Sequence, residues 1–141
     1  MQRRDFHRWA QAHAMALALA LAPWQQAVGH AGPDPRRWRE NPFTLGVASG
    51  QPRPDTVVLW TCLVVGPQDR ADSGTDAARV VCEVFADEAL RQRVWHSDIT
   101  TDAQRGHSVH AQATGLLPGR NYWYRFRCGD AISPVGRTRT A

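Results

Sequence analysis

Asn121-Tyr122-Trp123-Tyr124-Arg125-Phe126-Arg127-Cys128 is the stretch that decides the fold. Side chains of a β-strand point alternately to opposite faces, so Tyr122, Tyr124, Phe126 and Cys128 line one side. Trp123, Arg125 and Arg127 take the other. The first set is apolar enough to face a core and the second polar enough to face water, which is a half-buried strand. Upstream, Leu116-Leu117-Pro118-Gly119-Arg120 is the turn that feeds it. Pro118 presets φ there, Gly119 accepts a positive φ, and leucine plugs the end of the core.

Working outward, further strand signals recur between turn residues. They are expected at 43–48, 56–63, 78–86, 93–96, 107–114 and 132–139, with a loop over 66–76 and a bend over 87–92. Thr56–Leu63 is the strongest, being rich in β-branched and aromatic residues. In it Val58, Trp60 and Cys62 share the face assigned to the core, as do Val80, Cys82 and Val84 in the next strand. About seven short strands with almost no helix predict an all-β sandwich over residues 43–141. Residues 32–42, with three prolines and no periodicity, read as a Pro-rich linker.

The start of the chain differs in composition. Arg3, Arg4 and Arg8, opposed by Asp5, precede an apolar run from Ala14 to Trp24. Eleven residues are too few for a bilayer core, which takes roughly 17–25 as helix. A basic start, a short apolar core and the small residues Gly29 and Ala31 predict a removable signal-peptide helix over 1–31. The pair Arg3-Arg4 followed by Phe6 resembles the twin-arginine export motif, so the export machinery is an expected partner and the expected location is periplasmic or secreted. An amphipathic helix retained on the domain is the other reading.

The 17 basic residues are all arginine and stand against 13 acids. Without residues 1–31 these become 14 and 12, a charge of +2. Such a balance supports neither nucleic-acid nor anionic-membrane binding as the main role. Three cysteines, Cys62, Cys82 and Cys128, cannot all pair within one molecule. Buried free thiols are expected, with a Cys62–Cys82 or Cys82–Cys128 bond left open in an exported chain.

Groups able to do chemistry are sparse. His96, Asp98, Asp102, His107 and His110 are the residue types that hold divalent metals. Period two, however, sends His107 and His110 to opposite faces, and solvated strand ends account for the set. No metal site is expected. Ser49 and Ser108 lack the Gly-x-Ser-x-Gly elbow, and Gly46 and Gly50 interrupt a strand start instead of opening a helix. Alternation sets Cys128 and Arg127 on opposite faces. No catalytic or cofactor-binding residue is assigned. The outward set Trp123, Arg125 and Arg127, with Arg137 and Arg139 if the last two strands are neighbours, is either a solvated face, a docking face or a direct phosphate or nucleic-acid contact.

Long strings carry a family likeness. Phe43-Thr44-Leu45-Gly46-Val47-Ala48-Ser49-Gly50, Pro52, Pro54-Asp55 and Val57-Val58-Leu59-Trp60-Thr61 resemble the start of PhoD-type alkaline phosphatases. So do Gly115-Leu116, Pro118-Gly119-Arg120, Tyr122, Tyr124-Arg125-Phe126-Arg127 and the segment from Ser133 to Ala141. Cys62, Cys82, Gln51 and Cys128-Gly129 depart from the family's usual residues. The resemblance implies an immunoglobulin- or fibronectin type III-like sandwich ahead of a metallophosphoesterase domain that holds iron and calcium. That domain is expected to be missing here, so none of its ligands transfers to this sequence. The chain is then expected to be the non-catalytic module of an exported alkaline phosphatase, docking through the Trp123 face. The alternative is a stand-alone exported binding or adhesion module.

Overall fold

The computed structural model describes residues 34–141; the expected signal-peptide helix, with Arg3, Arg4 and Phe6, lies outside the described residues. The described chain runs β1 (Val47–Gly50), β2 (Val57–Cys62), α1 (Pro67–Ser73), β3 (Ala78–Phe85) and β4 (Arg93–Thr101). A 3₁₀ turn over Ala103–Arg105 follows, then β5 (Ser108–Ala113), β6 (Asn121–Cys128), β7 (Ala131–Ile132) and β8 (Gly136–Arg139). One sheet has the order β1-β2-β5. The other has five strands, with β4 and β6 flanking β3 and both β7 and β8 pairing the far edge of β6. All pairings are antiparallel. The result is the expected all-β sandwich.

Its interior follows from alternation. Tyr122, Tyr124, Phe126 and Cys128 are buried, as are Val80, Cys82 and Val84. The bulky aromatics of β6 belong to the same core as the small Ala111 and Ala113 of β5. Tyr124 and Phe126 meet edge to face with centroids 6.2 Å apart. At the turn before β6 the Leu117 amide donates to the Tyr122 hydroxyl at 2.8 Å, tying the strand's first inward aromatic back to its own loop. Leu116 is buried at this end while Leu117 is exposed.

Several expectations change. In β2 the buried face is Val57, Leu59 and Thr61, so Val58, Trp60 and Cys62 point outward. The strand is apolar on both faces, so its pattern does not set its phase. The Cys62 thiol donates to the Gly106 carbonyl at 3.2 Å, whereas Cys82 and Cys128 are core residues with thiols pushed up to about 12 by burial. All three are free. The loop expected at 66–76 contains α1: Pro67 suits the first helical turn, and Gly74 ends it in the left-handed region at φ 64°. β4 runs on to Thr101 instead of stopping at His96, since its half-buried Trp95, Ser97 and Ile99 continue the alternation. The first strand begins at Val47, after a turn in which Gly46 N–H donates to Phe43 O. The last expected strand is broken between Ile132 and Gly136, where Ser133 turns inward and its hydroxyl accepts from the Phe126 amide at 2.8 Å.

The lead-in 34–42 has no regular structure but lies on the sandwich. Arg36 is buried and its Nη2 donates to the carbonyls of Ala77 at 2.7 Å and Thr75 at 3.2 Å. Trp38 Nε1 donates to Cys128 O at 2.8 Å, and Asp34 Oδ2 accepts from the Arg79 amide at 3.0 Å.

Candidate functional site

Two surfaces carry the arginines of β6 and β8. The first is the outer face of the five-stranded sheet. β6 pairs β8 with Trp123 opposite Arg137 and Asn121 opposite Arg139, so the expected ladder of Trp123, Arg125, Arg127, Arg137 and Arg139 does share one face. Its members are not equivalent. Glu83 stands opposite Arg125 and, although on the outer face, its side chain is only 4% exposed. Its carboxylate accepts from Arg125 Nε at 2.9 Å and from Arg93 Nη1 at 2.8 Å. Burial alone would raise its pKa, but the hydrogen bonds from Arg93 and Arg125, with the nearby charge of Arg127, outweigh it and hold it below 4.5. The Arg125 guanidinium also sits 5.3 Å from the Phe85 ring centre. Arg125 is thereby held, while Arg127, Arg137 and Arg139 are exposed and make no ion pair among the described residues.

The second is the edge where the two sheets meet. Ser49, Gly50, Pro52 and Val57 of the β1–β2 corner face Asn121, Arg137, Thr138 and Arg139 across an open groove of about 500 Å³. Nothing in the strand pattern singled it out, because it is formed by strands far apart in sequence.

The histidines and acids weighed for a metal do not converge. His96 and Asp98 are exposed on β4, with Asp98 taken by Arg79 Nη2 at 3.0 Å. Asp102 caps the 3₁₀ turn, its side chain accepting from the Arg105 amide. His110 is exposed on the other sheet, its ring 6.4 Å from that of Trp60. His107 is not a solvated strand-end residue. It precedes β5 at φ 54° and is 4% exposed, with Nε2 3.5 Å from Asp76 Oδ1. Burial lowers its pKa below 6.5; Asp76 and Asp102 oppose that, and Arg70 and Arg36 add to it. Among the described residues no group of three or more His, Cys, Asp or Glu could hold a metal ion. The donor set therefore does not fit iron or calcium. Among them, too, no helix is long and apolar enough to cross a membrane.

Fold and surfaces define a class: a β-sandwich module with an arginine-rich sheet face and no cluster of metal-binding side chains among its described residues. A family model described as PhoD-like phosphatase, N-terminal domain, matches residues 27–141, and the chain belongs to that family. Alkaline phosphatase D of Bacillus subtilis (strain 168) is 41% identical over 130 residues, 89% of this chain and 21% of that protein. A solved structure of PhoD superposes with a TM-score of 0.66 at 43% identity, covering 74% of this chain and 20% of the other. The chain thus spans about a fifth of the length of these relatives. The sensor domain of the anti-sigma factor RsgI4 in Pseudobacteroides cellulosolvens shares the fold alone, with a TM-score of 0.54 at 10% identity over 67% of this chain and 72% of that one.

Proposed function

We propose that this sandwich is the non-catalytic N-terminal module of an exported, fibronectin type III-like-headed alkaline phosphatase. Hydrolysis of phosphate esters would then belong to the remaining four-fifths of such a protein. The observation that carries this reading is the family match over residues 27–141 together with a 41% identical alkaline phosphatase D. The iron and calcium of the parent enzyme are held outside this module. Its docking face is the Trp123 face: half-buried Trp123 and rigidly held Arg125 are interface-type residues, exposed Arg127 adds charge, and Arg137 and Arg139 border it.

The chain, purified with iron and calcium added, is expected to leave p-nitrophenyl phosphate and its bis-ester unhydrolysed. Turnover proportional to protein would overturn the non-catalytic assignment. Grafted in place of the N-terminal fifth of the Bacillus relative, it should sustain activity where an unrelated sandwich does not. Export by the twin-arginine route rests on Arg3 and Arg4. A reporter carrying residues 1–33 should stay inside the cell as the R3K/R4K variant, and undiminished export would refute that route.

A further inference from the structure

We infer that the groove between β1 and β8 binds a phosphate-bearing anion. The backbone supplies the first part of the case. Thr140 N–H donates to Arg120 O across the extension of the β6–β8 ladder. Hydrogen bonding in an antiparallel pair alternates, so the amides of Arg137, Arg139 and Ala141 point away from β6. The Ala141 amide finds Arg53 O on the segment following β1. Two and four residues back, at Arg139 and Arg137, no strand among the described residues pairs that edge of β8. The groove therefore has main-chain donors along one wall.

Side chains supply the second part. Arg137, Arg139 and Asn121 line the groove and carry N–H donors, beside the buried Thr138 and Ser49, whose side chain is hydrogen-bonded to Tyr124. Arg53 and Arg120 are exposed at the same end, where their backbones bond to Ala141 and Thr140. None of these four arginines has an ion-pair partner among the described residues. The nearest acid in sequence, Asp55, accepts the Thr56 hydroxyl at 3.0 Å. Of the other arginines on the same sheet, Arg79 is matched to Asp98 and both Arg93 and Arg125 to Glu83, while Arg127 at the far end of β6 has no ion-pair partner among the described residues. Four arginines without ion-pair partners among the described residues are thus gathered at one end of the sandwich, two of them lining a concave place.

The chemistry favours phosphate over carboxylate. A planar carboxylate is satisfied by one guanidinium fork, whereas a tetrahedral phosphate offers oxygens in several directions. The groove presents donors from β8, from the β1–β2 corner and from β6. This inference rests on the groove alone and stands or falls separately from the phosphatase reading.

The full chain, titrated with inorganic tripolyphosphate by calorimetry at matched ionic strength, should show saturable binding that sulfate and chloride do not reproduce. Amide NMR shifts should centre on Ser49, Gly50 and Arg137–Arg139. The surface variant R137Q/R139Q, with its β-sheet circular dichroism intact, should bind about tenfold more weakly or worse, a difference of ~1.4 kcal/mol. The pair R91Q/R105Q, at exposed arginines elsewhere, should bind as the parent does. Equal losses in both pairs, shifts centred elsewhere, or no saturation would each overturn the assignment. Equally tight binding of a poly-glutamate peptide would overturn it in favour of a carboxylate docking surface.

Discussion

Glu83 is on the solvent side of β3 and yet almost wholly covered, because Arg93 and Arg125 close over it from the strands on either side. Its lowered pKa ties stability to pH: this contribution is present above 4.5 and lost as pH falls through the folded-state value. His107 acts in the same direction and earlier. Its pKa is lowered by burial, so its contribution is present above 6.5 and lost as pH falls through its lower folded value. Urea midpoints measured from pH 8 to 3 should therefore fall on acidification. E83Q should flatten the lower part of the curve, and H107N, whose new side chain tolerates positive φ, the upper part. Gly129 is a second residue-scale constraint. It sits at φ 59°, and a Cβ there would collide with the Arg36 carbonyl, which also accepts from the Asp130 amide at 3.2 Å. G129A should cost about 3 kcal/mol, read by urea denaturation, because strain and collision act together.

At the scale of elements, β6 is the organiser, pairing β3 on one edge and both β7 and β8 on the other. Its entry is held by the Leu117–Tyr122 hydrogen bond and by Gly119, whose amide donates to Ala141 O at 3.0 Å. Y122F keeps the ring packing but leaves the Leu117 amide without its acceptor. It should lower stability by about 1–2 kcal/mol with little change in the circular dichroism of the sheets. A loss of sheet signal would mean that the corner is needed to form β6. The boundaries of β6 were legible to the residue, since both its faces have distinct chemistry. Those of β4, β7 and β8 were not. A proline and an inward serine interrupt the last run, and the length of β4 depends on its pairing with the whole of β3.

At the scale of the whole domain, the lead-in is a structural strap. Removing residues 34–42 would delete the Arg36 bonds to Thr75 and Ala77, the Trp38 bond to Cys128 and the Asp34 bond to the Arg79 amide. A version starting at Phe43 should be about 3 kcal/mol or more less stable than one starting at Asp34, at ~1 kcal/mol for each lost hydrogen bond. Equal urea midpoints would show the strap to be passive. The candidate surfaces divide similarly. The Trp123 face could be written down from β6 alone, with Arg137 and Arg139 joined to it on the assumption that the last strands are neighbours. The groove could not be foreseen, because the β1–β2 corner and β8 are separated by most of the domain.

Alternation by itself determined that Tyr122, Tyr124, Phe126 and Cys128 face inward, for strand periodicity is written locally in residue types, and the run of short strands with almost no helix pointed to a sandwich. Turn chemistry determined most of the breaks between strands. Tertiary packing alone decided that Cys62 faces outward, that His107 is buried beside Asp76, and that Arg125 is taken by Glu83 while Arg137 and Arg139 are not. The physical reason is the range of the forces involved. A side chain's direction follows from its own backbone, but its burial and its ionic partners depend on whichever distant strand arrives beside it.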